Sequence, residues 1–207
     1  VVLGGVQSLE DRGCSHVIPH PSERLSQPRW VRRYGAHVLH VLPHCPMCGA
    51  RIDLEVPGRC GDCGTAHYRN ARPTAGGLLV RGDEVMLLRR AIEPWKGHWD
   101  IPGGFCDGAE LPQDAIRREY REETGLEVEI VTLLGMWLDV YELGGHSFDT
   151  LNSYYLVDGG PDPDIQLDET ENSEIGWFGV DDVPADIAFP SHQPDVIAAW
   201  QRWSLKT

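Results

Sequence analysis

Gly103–Leu126 reads GGFCDGAELPQDAIRREYREETGL, and this stretch decides how the rest of the chain is read. Pro112 suits the first turn of a helix and Gly125 its end, so the sequence predicts a helix over about residues 112–124. Spacings of three and four residues bring Glu119, Glu122 and Glu123 together on it. Ile116 and Tyr120, four apart on the adjoining side, are expected to anchor it to a sheet. Three carboxylates this close raise one another's energy unless positive charge sits between them. A hard divalent cation fills that role: Mg²⁺ prefers oxygen ligands, keeps several waters and commonly bridges phosphates. A solvated acidic face with Glu–Arg pairs is the plainer reading, but it leaves the preceding loop unexplained. There Gly103 and Gly104 allow close backbone approach to a ligand, and Arg118 can orient a neighbouring carboxylate by a bidentate contact.

Working outward, AGGLLVRGDEVMLLRRA reads as a hairpin about a Gly-Asp turn. TGLEVEIVTLLGMWLDVYE holds one long or two short strands, and SFDTLNSYYLV and EIGWFGV one each. PDVIAAWQRW is an amphipathic helix with Val196, Ile197, Trp200 and Trp203 on one side. Mostly strands, with a helix in the middle and another at the end, predict an α+β domain of α/β/α sandwich type over residues 70–207.

Ahead of it, residues 44–69 carry Cys45-x2-Cys48 and Cys60-x2-Cys63, separated by eleven residues. Each pair sits in a C-x-x-C-G turn, and two such turns present four thiolates to a tetrahedral Zn²⁺. With four protein ligands the metal would be structural, stabilising a ribbon too small to bury a core of its own. A pair of disulfides is the competing reading. The start VVLGGVQSLEDRGC lacks the basic head and apolar run of a signal peptide, so a cytoplasmic, reducing setting is expected, against disulfides. His44 and His67 flank the cysteines and are read as bystanders. Residues 1–43 show little periodicity and are expected to be a poorly ordered lead-in.

The net charge is −14, and its distribution is uneven. Residues 70–207 alone carry −16, with ten basic against 26 acidic side chains. Such a surface repels nucleic acid and anionic membrane, so neither is an expected partner. It would also repel a polyphosphate, unless bound cations reverse the local field. The ribbon, with no net charge, lacks the basic face of a nucleic-acid binder.

Residues 104–126 resemble the Nudix box, G-x5-E-x7-R-E-U-x-E-E-x-G-U, through Gly104, Glu110, Arg118, Glu119, Tyr120, Glu122, Glu123, Gly125 and Leu126. Tyr120 is an unusual choice where a bulky aliphatic residue is common. The departures are Leu111 in place of a capping Ser, Gly108-Ala109 before Glu110, and Cys106, read as a buried thiol. The resemblance spans about residues 70–205, and a zinc ribbon ahead of such a domain is similar to a Nudix subgroup that includes NADH pyrophosphatases. It implies a Nudix α/β/α sandwich with a mixed sheet. It also implies metal-dependent hydrolysis of a nucleoside diphosphate linked to another moiety, giving a nucleoside monophosphate. In that reading Glu119, Glu122 and Glu123, with the Gly104 carbonyl, hold Mg²⁺ or Mn²⁺. Arg118 orients Glu119 or Glu122, and Glu110 supports the loop or a second metal. The base is a box glutamate, or Glu171 or Glu174 ahead of Trp177-Phe178. Arg89 or Arg90 reaches phosphate, Trp95 stacks on a base, and Tyr141, sixteen residues past Gly125, adds a substrate contact. Trp99 is read as core. The S-Q-P-W-P-F-P-x-S array of NADH pyrophosphatases is missing, FPSHQP at 189–194 not being that motif, and no Pro lies near residue 142. A nucleotide sugar or a flavin or nicotinamide dinucleotide is therefore favoured, with ADP-ribose, NADH and FAD as examples. A homodimer is an expected assembly. A non-catalytic nucleotide-binding regulator is the alternative, though such proteins typically lose box glutamates, which this chain keeps.

Overall fold

The computed structural model describes residues 41–143, 146–161 and 164–204; all but the last three residues of the expected lead-in over residues 1–43 lie outside them. The ribbon holds two small antiparallel pairs: β1 (Val41–His44) with β2 (Arg51–Glu55), and β3 (Gly58–Arg59) with β4 (Ala66–His67). Its first strand begins three residues ahead of the expected boundary, because Val41 and Leu42 pair with Glu55 and Leu54.

The main sheet follows: β5 (Arg72–Arg81), β6 (Glu84–Arg90), short β7 (Trp99–Asp100) and β8 (Gly103–Phe105), then helix α1 (Pro112–Thr124). β9 (Glu129–Leu143), β10 (His146–Asp158), β11 (Asn172–Gly179) and helix α2 (Gln193–Ser204) complete it. The sheet order is β11-β6-β5-β10-β9, with β7 against β6 and β8 against β5. β5 and β10 run parallel, Arg72–Leu79 beside Thr150–Val157, and the other pairs are antiparallel, so the sheet is mixed as expected.

Strand alternation splits the apolar residues between two layers. Ala75, Leu79, Met86, Leu88, Tyr155 and Val157 pack under α1 with Ala115, Ile116 and Tyr120. Leu78, Val85, Leu87, Tyr154 and Leu156 face α2 with Val196, Ile197 and Trp200. This is the predicted sandwich. Trp200 is 2% exposed; Trp200→Ala should cost about 3–5 kcal/mol of unfolding free energy, read as a lower midpoint in urea titration.

Helix α1 has the predicted bounds. Pro112 opens it, Leu111 supplies no side-chain cap, and Gly125 closes it in the left-handed conformation at φ 70°. Tyr120 is wholly buried, and its hydroxyl donates to the Gly77 carbonyl at 2.7 Å. A side chain at position 77 would run into that ring and Ile116, so a glycine opposite lets an aromatic stand where an aliphatic is usual.

β9 is an edge strand. On the side that α1 leaves bare it exposes Leu133, Met136, Leu138 and Val140, with Leu151 of β10 beside them. Its other side sends Leu134 and Trp137 into the α2 layer.

Candidate active site

The loop after β8 and the first half of α1 are organised by Arg118. Its guanidinium grips Glu110 through Nε and Nη2, at 3.1 and 3.0 Å. Nη1 donates to Glu119 Oε1 and to Glu122 Oε2, both at 2.9 Å, and Nη2 also donates to the Phe105 carbonyl at 3.0 Å. Glu110 in turn accepts the Asp107 N–H at 2.9 Å. Glu110 thus supports the loop, and Arg118 orients Glu119 and Glu122 together. Its grip holds the Glu110 carboxyl below its ordinary range.

Glu123 sits deeper. Its Oε2 accepts the Gly103 N–H at 3.0 Å, and its Oε1 the Asn172 amide at 3.4 Å. Burial, then the charges of Glu119 and Asp100, push this carboxyl well above the usual range. Burial raises Glu119 as well, against the pull of Arg118 and with the charges of Glu122 and Glu171 adding to it. Gly104 lies against Glu119, and a side chain at 104 would collide with its carboxylate. The acidic loop docks on the end of α1, where Gln166 and Asp168 donate N–H groups to the Thr124 and Glu123 carbonyls at 2.8 and 2.9 Å. That docking carries Glu171 over the glutamates.

These groups line one end of a cleft of about 390 Å³. Asp100, Asp107, Glu119, Glu122, Glu123, Asp139 and Glu171 line it, against two arginines, Arg90 and Arg118. Carboxylates in this excess, two of them held up in pKa by burial and by neighbouring carboxylates, form an oxygen-rich pocket whose charge a divalent cation would balance.

The far end is built by residues distant in sequence. Tyr141 stacks with Phe148 and Phe189, ring centroids 5.3 and 5.9 Å apart, and Phe105 meets Tyr141 edge-on. Arg90 donates from Nη1 to Asp100 Oδ2 at 2.6 Å and from Nε to the Pro94 carbonyl at 2.7 Å, with Phe189 against its guanidinium. Behind them runs a buried chain: Gln193 Nε2 to Asp100 Oδ1 and to the Tyr154 hydroxyl, Tyr154 to His192 Nε2 at 2.9 Å, and His192 Nδ1 to Asp139 Oδ2 at 3.0 Å. Burial alone would push Asp139 up, but His192, Ser191 and the Val140 N–H bring its carboxyl below the ordinary range.

Three of the expected site residues stand outside the cleft lining. Arg89 and Arg90 are neighbours on β6, so they point to opposite sides. Arg90 lines the cleft; Arg89 instead pairs with Glu174, directly across on β11, at 3.1 Å. Glu174 is therefore outside the cleft too, and of the two loop candidates only Glu171 lines it. Trp95 stands beside the rim with its ring edge-on to His98 and Phe189, and does not line the cleft. His67 is buried with its Nε2 3.4 Å from Cys45 Sγ, and it is not among the four clustered ligands. Trp99 is core, edge-on to Phe178 at 4.8 Å, and Cys106 is a half-buried thiol raised in pKa by burial. Asp100, Asp139, Phe189, His192 and Gln193 escaped the sequence reading; FPSHQP, holding three of them, was its one usable signal.

In the ribbon, Cys45, Cys48, Cys60 and Cys63 bring their sulfurs within 4.8 Å of one another. The Thr65 hydroxyl and N–H pull Cys63 down to about 6. At Cys48 the Ala50 N–H pulls down too, but sharing a proton with Cys63 and the other thiols pushes it up to about 12. Four sulfurs gathered this closely form the donor set of a tetrahedral zinc ion.

Residues 70–200 match the NUDIX domain. Among curated proteins, the NAD-capped RNA hydrolase NudC of Vibrio parahaemolyticus is 29% identical over 176 residues, 84% of this chain and 63% of that protein. The NudC of Pseudomonas aeruginosa is 33% identical over 147 residues, 68% of this chain and 49% of that protein. The ADP-ribose pyrophosphatase of Methanocaldococcus jannaschii is 33% identical over 70 residues, 34% of this chain and 41% of that protein. The chain thus spans from about two fifths to under two thirds of these relatives' lengths. Among solved structures, a NUDIX hydrolase from Nitrosomonas europaea superposes with a TM-score of 0.60 at 26% identity, over 80% of this chain and 92% of that one. With a matching domain over most of its length, the box residues gathered on one helix and a mixed-sheet sandwich around them, the chain belongs to the NUDIX family.

Proposed function

We propose that the protein hydrolyses the pyrophosphate bond of a nucleoside diphosphate linked to another moiety, releasing a nucleoside monophosphate and a phosphorylated remainder. The observation that carries this is the two-ended cleft: oxygen donors organised by Arg118 at one end, rings and Arg90 at the other. Glu119, Glu122 and Glu123, with the Gly104 carbonyl, would hold Mg²⁺ or Mn²⁺. Bound there, the cation screens the anhydride oxygens and lowers the pKa of an attacking water. Arg118 keeps Glu119 and Glu122 aimed into the cleft. Glu171 faces them and is the loop carboxylate offered as base. The cysteine cluster holds a structural Zn²⁺.

Arg90 and Tyr141 contact the second moiety of the substrate. Arg90→Ala should raise KM by about tenfold with a smaller change in kcat, while Arg89→Ala, on the far side of β6, should leave both within about twofold; steady-state kinetics separate them. The names of the relatives point to adenine-bearing substrates, and we favour a free dinucleotide or ADP-ribose over a capped RNA, since residues 70–207 carry −16. A panel of ADP-ribose, NADH, FAD, diadenosine polyphosphates, a nucleotide sugar and 8-oxo-dGTP, with Mg²⁺ and with Mn²⁺, tests this by released monophosphate. Turnover of ADP-ribose or a dinucleotide supports the reading; no release from any of them ends it.

A further inference from the structure

The far end of the cleft holds two carboxylates, and their partners leave them in different states. Asp100 is ion-paired with Arg90 at 2.6 Å, so its charge is met by an opposite one. Asp139 accepts from the Val140 N–H at 2.8 Å, from the Ser191 hydroxyl and from His192 Nδ1 at 3.0 Å. The bonds behind it fix the form of that imidazole. Asp100 can only accept, so Gln193 gives it the amino group, which also donates to the Tyr154 hydroxyl at 3.4 Å. The hydroxyl's own proton is left for His192 Nε2 at 2.9 Å, and burial pushes the phenol up in pKa and keeps it protonated. His192 therefore accepts at Nε2 and carries its one proton on Nδ1, as an uncharged ring. Three donors hold Asp139 ionised, and no Lys or Arg pairs with it among the described residues. Asp139 lines the cleft, and its side chain keeps 12% of its surface open. It lies two residues from Tyr141 on β9, on the same face and about 7 Å along the strand. A lone negative charge thus stands beside the Tyr141–Phe148 stack.

We propose that Asp139 is a specificity-determining residue, whose unpaired charge rejects any substrate that carries a carboxylate or phosphate on the moiety seated at this end of the cleft. Like charges this close, with protein rather than water around them, repel strongly, and a charge without a partner is a common device for turning a ligand away. The proposal rests on the reading of this cleft as a nucleotide pyrophosphatase site. It narrows the substrates to those whose only anionic groups are the two bridging phosphates.

The test compares kcat/KM for NAD with that for two analogues: nicotinic acid adenine dinucleotide, and NADP with its extra 2′-phosphate. Each adds negative charge to a different half of the dinucleotide, so whichever half sits beside Asp139 is probed. In the wild type one analogue should be worse than NAD by about tenfold or more. A neutral group of greater bulk at the same position, the methyl ester or a 2′-O-methyl, should stay within about threefold of NAD. In Asp139→Asn, which keeps the shape and loses the charge, the tenfold ratio should fall to within about threefold. Ratios near one for both analogues in the wild type overturn the proposal, as does equal rejection of the neutral bulky group; neither depends on the variant folding. A preference that survives in a folded Asp139→Asn overturns it too. Should no dinucleotide be turned over, the activity reading fails separately. Calorimetric binding of nicotinamide mononucleotide against its acid, and of AMP against adenosine 2′,5′-bisphosphate, then tests Asp139 without catalysis, and equal affinities within both pairs overturn its role.

Discussion

Glu119→Gln is expected to lower turnover by about 100-fold or more while leaving the melting temperature nearly unchanged. Glu119 touches two things: Arg118 Nη1 at 2.9 Å, and the backbone at Gly104. The amide keeps the size of the side chain and loses the charge. Arg118 retains its fork on Glu110 and its bond to Glu122, so the loop should hold its shape. What disappears is one anionic oxygen ligand in the cleft. The loss should fall on kcat, and the Mn²⁺ concentration needed for half-maximal rate should rise. Kinetics in metal-defined buffer, with calorimetric titration of the cation, check both. Activity within a few fold of wild type would remove Glu119 from the proposed metal site.

Cys60→Ser is expected to release the zinc and unfold the ribbon. Cys60 is 2% exposed, its sulfur lies beside the other three, and β3 and β4 are two residues each, too short to persist alone. A chelator should produce the same change in the wild type, reversed by adding zinc. Metal content by elemental analysis should fall from one zinc per chain to none. Unfolding should show an early, low-amplitude transition for the ribbon, followed by that of the sandwich. No zinc in the purified wild type would overturn the structural-metal reading.

The helix and its layers were legible because their signals are local. Pro112 and Gly125 mark α1 at both ends, and unbroken apolar runs such as LLV and VMLL mark strands buried on both faces. The choice between Arg89 and Arg90 was not legible, since it turns on which side of β6 carries the cleft, and that depends on where β11 pairs. Glu174 was lost for the same reason: the strand begins at Asn172, so the residue already lies in the ladder opposite Arg89. The far end of the cleft was hidden because Arg90, Asp139 and Gln193 lie on three different elements, and only the fold brings them to one place. The contact of His67 with Cys45 was not legible either, since it spans 22 residues and depends on the β3–β4 pair.

The parallel seam between β5 and β10 also dictates when the enzyme can exist during synthesis. Thr74 on β5 bonds Asn152, 78 residues later, and Ala75 and Gly76 lie in the cleft wall between that seam and the β8 loop. A chain still emerging from the ribosome can form the β5–β6 hairpin early, yet its central strand keeps one bare flank until residues beyond 150 appear. Contacts this remote in sequence make for slow closure. Nascent chains stalled before about residue 150 should therefore be inactive and protease-sensitive, even though every glutamate of the box has already been translated.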